Sequence, residues 1–228
     1  MIEQTRKRFP KLRYAGMAGL AALVSAVLLS GFLLVGCPGT KGLELHKLEH
    51  EGVKRSYYLH VPEDSPDAAP APLLIALHRF TENGARMAQM TGFNAIADEE
   101  NFIVAYPNGK GRRFNYEPGS EPDDAAFVLA VLEDIASLHA IDRSRVYVTG
   151  ASNGGFLVYL LACEYPDTFA AAAPVMATFL EEVASNCTSV QDMPMMIIHG
   201  DADPLVPYDE ETIFAGPGMT LEVLTVPE

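Results

Sequence analysis

The stretch of this chain best suited to chemistry is Gly150-Ala151-Ser152-Asn153-Gly154, a serine set between two glycines. A β-branched run, Val146 to Thr149, leads into it, and an apolar run, Phe156 to Ala162, follows. Strand, sharp turn and helix form the setting that lifts a serine hydroxyl above a sheet as a nucleophile. A side chain at position 150 or 154 would collide there with the neighbouring strand or helix. Such a serine needs a base for its proton, a carboxylate to orient that base, and N–H donors for the oxyanion.

The acid is sought on the loop after a later strand, where His199-Gly200-Asp201-Ala202-Asp203 stands. Asp203 is the candidate in preference to Asp201, because the residue must reach out of the turn. An Asx-type turn role is the alternative for each. One oxyanion donor would be the N–H of Asn153, and the second a backbone N–H of the loop His78-Arg79-Phe80-Thr81. Phe80 is the first choice and Arg79 the next, with His78 orienting the loop.

The base is missing from this inventory. On this strand–turn–helix the expected chain order is Ser, acid, His. All six histidines (His46, His50, His60, His78, His139 and His199) precede Asp203. His199 lies at a strand end beside the acid, where a structural role is expected. Val223 to Glu228 reads as the start of a helix with proline in its first turn. A further helix, strand and histidine loop are therefore expected beyond it.

These residues need a sheet to hold them. Leu43 to Val61 reads as two strands turned at Glu51-Gly52, and Pro62 to Pro72 as a surface loop. Leu73 to Leu77 and Phe102 to Tyr106 are continuously apolar, as strands buried on both faces of a parallel sheet are. Helical spacing runs through Gly84 to Glu100 and Asp123 to His139, with an irregular loop at Gly109 to Pro122 between. Phe169 to Met176 and Met195 to His199 give two more strands. This alternation predicts an α/β fold: a mostly parallel sheet with helices on both faces. Ligands of such sheets bind beyond the carboxyl ends of the strands, where the candidates gather.

The 228 residues suit one such domain behind an N-terminal segment. A formal net charge of −14 excludes nucleic acid as a partner, since phosphates need a basic surface. Residues 1–36 read as an export signal: a basic start from Arg6 to Arg13, then an uncharged apolar stretch from Ala15 to Val35. An uncleaved membrane anchor is the alternative. The stretch ends in Leu34-Val35-Gly36-Cys37, which is similar to the lipobox of bacterial lipoproteins. That implies a lipid anchor on Cys37, a tether over residues 37–42 and an extracytoplasmic domain over 43–228. Cys163 and Cys187 remain, as a disulfide or as two buried thiols. No Cys or His cluster has zinc spacing, and no metal or other cofactor is expected.

In order and spacing the chain resembles the α/β-hydrolase esterases grouped as polyhydroxybutyrate depolymerase-like, which include feruloyl and acetylxylan esterases. The resemblance runs from about Arg55 to Glu228. It rests on Leu77-His78, Gly92 to Asp98, Tyr106-Pro107-Asn108-Gly109, Phe114-Asn115, Asp123-Asp124 before Phe127, Val146 to Gly155, Ala162 to Ala171, Cys187 and His199 to Tyr208. It implies a carboxylic-ester hydrolase with Ser152 as nucleophile, Asp203 as acid and a Cys163–Cys187 disulfide. The substrates implied are polyhydroxyalkanoate, feruloyl or acetyl polysaccharide, or short acyl esters. Arg79 stands where the family usually has glycine, and the family's histidine has no counterpart here. A lipid-anchored, inactive binding domain is the alternative. Serine peptidases of the prolyl-oligopeptidase type share Gly-x-Ser-x-Gly-Gly, but nothing upstream resembles their propeller.

Overall fold

The computed structural model describes residues 42–63, 69–187, 193–216 and 219–225. Cys37, the apolar stretch before it and the last three residues of the helix start expected over Val223 to Glu228 lie outside the described residues. Val223 is not helical but bridges antiparallel to Leu180, and Leu224 donates to Phe179 O at 2.8 Å. Among the described residues, no helix is long and apolar enough to cross a membrane.

Strands β1 (Leu43–His50) and β2 (Val53–His60) pair antiparallel through the expected turn at Glu51-Gly52. Strand β3 (Ala71–Leu77), β4 (Ile103–Pro107), β5 (Ile141–Ala151) and β6 (Ala171–Val175) complete a six-stranded sheet in the order β1-β2-β4-β3-β5-β6. From β4 to β6 every pairing is parallel. All five residues of β4 are buried, as its continuous apolar run requires. The α/β-hydrolase architecture expected from the sequence is the one observed.

The alternation of β3 sends its side chains to two cores. Leu73, Ile75 and Leu77 pack with helix α3 (Asp124–Leu138) and helix α4 (Asn153–Glu164). Ala76 packs on the other face with Val104, Tyr106 and the short helix α1 (Gly84–Thr91). The single helix expected over 84–100 is in fact two. Gly92 takes φ 65°, closes α1 as its C-cap and opens α2 (Phe93–Glu100) at a new angle. A glycine adopts that left-handed conformation at little cost, so the apolar spacing continues across a break that it does not register.

Two caps fix the helices that approach the site. Asn83 Oδ1 accepts the Arg86 N–H at 2.9 Å at the start of α1, and Asp123 Oδ1 accepts the Ala126 N–H at 2.8 Å at the start of α3. Beneath α3, Arg55 and Asp124 form a buried ion pair, and the guanidinium carbon lies 3.6 Å from the Phe127 ring centre. The second Asp124 oxygen accepts the Asn115 N–H at 2.8 Å, which ties the 109–122 loop to α3.

The Met195 to His199 stretch runs beside β6, bridged in parallel at Ala172–Met195 and Val175–Ile198. The Met196 and Ile198 N–H groups donate to Ala172 and Pro174 carbonyls at 3.0 and 3.1 Å, so it occupies the next strand position. Helix α5 (Glu181–Asn186) and the hairpin of β7 (Thr212–Gly216) and β8 (Met219–Glu222) are not foreseen from the sequence, each being too short for a period to stand out. Cys163, near the end of α4, is disulfide-bonded to Cys187 at the C-cap of α5, with Cα atoms 5.3 Å apart.

Candidate active site

Ser152 sits at the junction of β5 and α4 with φ 51° and ψ −116°, outside the conformations ordinary for its type. Close packing holds it there. A Cβ on Gly150 would stand 2.4 Å from the Gly154 carbonyl oxygen, and one on Gly154 would stand 2.5 Å from that of Leu77. The strand, the turn and the helix can approach this closely only with hydrogen at both positions. The Ser152 N–H donates to Val175 O at 2.8 Å, so the strained residue is also tied to β6. Strain of this kind collects at functional sites.

Ser152 opens onto a cleft of about 730 Å³ whose walls include Phe80, Tyr116, Asn153, Phe156 and Leu205. The Tyr116 and Phe156 rings meet at a 31° tilt with centres 5.0 Å apart, and burial pushes the Tyr116 phenol above its ordinary value. Phe80, 57% exposed, lies on the same wall. The cleft therefore sets the Ser152 hydroxyl in a mixed wall that includes the aromatic side chains of Phe80, Phe114, Tyr116 and Phe156.

Two sets of amides face the oxyanion question. Asn153 is the first residue of α4, where a helix leaves its N–H groups without intrahelical partners. In the facing loop, Thr81 donates to Arg112 O at 2.8 Å and Glu82 to Arg79 O at 3.1 Å. The Phe80 N–H has no such carbonyl among the described residues.

His78 is fully buried and its ring lies 4.4 Å from that of Phe114. Its Nε2 accepts the Gly109 N–H at 3.0 Å, so Nδ1 carries the proton and donates to Arg79 O at 2.7 Å. Burial lowers its pKa, with opposing smaller effects from that hydrogen bond and from the Glu82 and Asp124 carboxylates. A buried, neutral ring with both nitrogens engaged is a loop orienter, as expected. Arg79 is not a bare cation. Its Nη2 donates to Glu82 Oε1 at 2.6 Å and its Nε to Oε2 at 3.3 Å, and this pairing holds Glu82 below the usual carboxylate range.

Asp203 follows the Met195 to His199 stretch. Its Oδ1 accepts the N–H groups of Leu205 and Val206 at 2.8 and 3.1 Å. This is Asx-turn geometry, and it leaves Oδ2 without a protein partner among the described residues. Leu205 and Val206 line the cleft, and Asp203 is not among its lining residues. Asp201 is exposed and makes no side-chain hydrogen bond among the described residues. His199 is committed elsewhere: Nε2 donates to Val206 O at 2.7 Å, and Nδ1 lies 3.3 Å from Ala177 O.

The other histidines stand on other elements. His60 meets Asp98 at 2.7 Å, His46 stacks on Tyr57, His50 faces Phe127, and His139 caps α3. No group of three or more metal-ligating side chains occurs among the described residues.

One functional contact escaped the sequence reading. The Asn153 side chain clamps the Phe114 backbone, accepting its N–H at 2.7 Å and donating to its carbonyl at 2.9 Å. The only signal was the position of Phe114-Asn115 in the resemblance, which says nothing about a partner.

Comparison with known proteins gives the family of the chain. The family model described as Esterase PHB depolymerase matches residues 55–220. Poly(3-hydroxyalkanoate) depolymerase C of Paucimonas lemoignei is 38% identical over 52% of this chain and 30% of its own length. The putative esterase NocK of Nocardia uniformis subsp. tsuyamanensis is 34% identical over 69% of this chain and 48% of its own. The chain thus spans less than half the length of either. Among solved structures, a thermostable esterase superimposes with a TM-score of 0.59 at 23% identity, covering 74% of this chain and 49% of that one.

Proposed function

Because the chain belongs to the esterase PHB depolymerase family, matched over residues 55–220, we propose that it hydrolyses carboxylic esters with Ser152 as the nucleophile. The observation that carries this reading is the backbone of Ser152. Its φ of 51° is held between two glycines that admit no Cβ, with the residue on the wall of the cleft.

The hydroxyl oxygen attacks the ester carbonyl, and its proton passes to a base. The carbonyl π pair moves onto oxygen, where the Asn153 and Phe80 N–H groups receive it. Collapse of the tetrahedral intermediate expels the alcohol, which takes the proton, and water then frees the acyl group by the same steps. Asp203 Oδ2 orients the base, while Oδ1 keeps the 203–206 turn in shape.

The base is a histidine other than the six in residues 1–228. Of those, His78 and His199 follow strands at the carboxyl edge of the sheet that carries Ser152, and both ring nitrogens of each face backbone groups. That same observation favours a second reading, a family member that binds esters without turning them over.

The domain works outside the cytoplasm, with residues 1–36 as export signal, Cys37 as lipid attachment, 37–42 as tether and 43–228 as the esterase domain. The Cys163–Cys187 bond and the apolar run before Cys37 support this. The substrate panel is hydroxybutyrate oligomers, feruloyl and acetyl-xylan esters, and short acyl esters.

Protein expressed from its complete gene is assayed on that panel beside Ser152→Ala. Turnover that disappears in the variant supports the esterase. Residues 1–228 alone are expected to turn over p-nitrophenyl acetate weakly or not at all, because losing the base costs orders of magnitude. A gene ending at Glu228, with an inactive product, turns the assignment to the ester-binding reading.

A further inference from the structure

The two proposed oxyanion donors stand on different elements. Asn153 begins α4, and Phe80 lies in the loop after β3. Nothing in the chain order forces their N–H groups toward one point. The segment from Gly109 to Phe114 touches both elements through hydrogen bonds, half-buried at the Gly109 end, buried at the Phe114 end and between exposed residues in the middle. At one end, Gly109 donates to His78 Nε2 at 3.0 Å, and His78 in turn holds Arg79 O. In the middle, Arg112 O accepts the Thr81 N–H at 2.8 Å. At the far end, the Asn153 side chain holds both backbone groups of Phe114. The Phe114 ring closes the circuit by packing on the His78 ring, and both side chains are sealed from solvent.

We infer that Asn153 and His78 are a pair of positioning residues, which use the 109–114 segment as a strut to set the separation of the two oxyanion donors. Asn153 therefore has two parts in one residue. Its backbone N–H meets the oxyanion, and its side chain holds the strut that places the second donor. The inference rests on the serine-esterase reading and deepens it.

Two features of the segment fit a strut. Gly109 admits no Cβ, since one would stand 2.2 Å from Arg113 O, so the segment is folded tightly on itself. Arg112 has φ 65°, a conformation that a non-glycine residue holds only when its surroundings impose it. The Arg112 carbonyl that results is the one receiving the Thr81 N–H. A short, strained and internally bonded segment transmits a displacement from one end to the other.

The test reads the nucleophile directly. Protein from the complete gene is titrated with a fluorophosphonate, whose phosphorus bonds to the Ser152 oxygen as fluoride leaves. The saturating rate, kinact, and the half-saturation constant, KI, are measured separately, with melting temperature recorded for each variant. In Asn153→Ala, kinact should fall about 10- to 100-fold with KI within about twofold, the scale of a donor displaced by a fraction of an ångström to an ångström.

His78 gives a second arm that does not depend on the first variant folding. Asparagine places its amide near the Nδ1 position, and glutamine near Nε2. His78→Gln keeps an acceptor for Gly109 and should retain most of kinact. His78→Asn keeps only the local bond to Arg79 and should lose about tenfold or more.

Wild-type kinact in folded Asn153→Ala overturns the proposal, as does equal behaviour of the two His78 variants. A change confined to KI also overturns it, because the segment would then be a wall of the cleft and not a strut. Undiminished labelling of Ser152→Ala would instead sink the esterase reading itself, which keeps the two failures apart.

Discussion

Gly154 passes Leu77 so closely that a Cβ added to it would lie 2.5 Å from the Leu77 carbonyl oxygen and 2.7 Å from the carbonyl carbon. The contact joins the first turn of α4 to the end of β3, and so fixes the elbow against the loop that carries His78 and Phe80. Gly154→Ala should therefore cost about 1–3 kcal/mol as an overpacked site, measured by urea unfolding. Reactivity of Ser152 should fall further than the folded fraction does, because the backbone must shift where the geometry matters. Unchanged stability would mean that the elbow has slack.

The Arg55–Asp124 pair is the second structural keystone. Both side chains are almost fully enclosed, and Arg55 Nε and Nη1 find no hydrogen-bond partner among the described residues. Removing one partner leaves a buried charge, so Asp124→Ala should lose about 3–5 kcal/mol and release the Asn115 N–H. Replacing both residues by apolar side chains of similar volume should recover most of that loss, since desolvating a buried pair offsets much of its attraction. Equal destabilisation by the single and double variants would contradict this account.

Acidity should act through His78. Its folded pKa lies below the unfolded value of about 6.5, so the unfolded chain binds the proton more readily. The stability tied to the neutral ring is complete above pH of about 6.5 and is lost as pH falls toward the folded pKa. Urea unfolding at pH 7.5 and 5.5 should show a steeper loss for the wild type than for His78→Gln, which cannot titrate. Parallel losses would assign the acid sensitivity to other groups.

The Cys163–Cys187 bond closes a loop with a sequence separation of 24. Cys187→Ser should lower stability by about 3 kcal/mol through the freed unfolded chain. The bond joins the far end of α4 to α5 and neither cysteine lines the cleft, so ester hydrolysis by the folded variant should match the wild type. Loss of hydrolysis without loss of stability would tie the bond to the site instead.

Much of this architecture was legible because one-dimensional pattern and three-dimensional role coincide. Continuous apolar runs became β3 and β4, and the glycine spacing around Ser152 became the elbow. The break at Gly92 was not legible, because helical spacing survives a left-handed residue that changes only the axis. The β7–β8 hairpin was missed because its strands are only five and four residues long, too short for the alternation of Met219 to Glu222 to stand out. Asp203 stood out as a carboxylate after a strand, yet the division of labour between its two oxygens depends on where the Leu205 and Val206 amides fold. The Asn153 clamp on Phe114 joins residues 39 apart in sequence. An asparagine side chain that bonds a distant backbone leaves no local trace. Nor could the sequence show that Arg79 is neutralised by Glu82 three residues on, since charges at that spacing in a loop meet only if the loop turns back.

The central claim is that Ser152 is an activated nucleophile facing an oxyanion site. Peptide mapping of the protein from its complete gene, after reaction with a fluorophosphonate, tests it most directly. The account predicts one adduct, on Ser152, absent from Ser152→Ala and formed in step with loss of ester hydrolysis. An adduct on another residue, or ester hydrolysis that persists in Ser152→Ala, would contradict it.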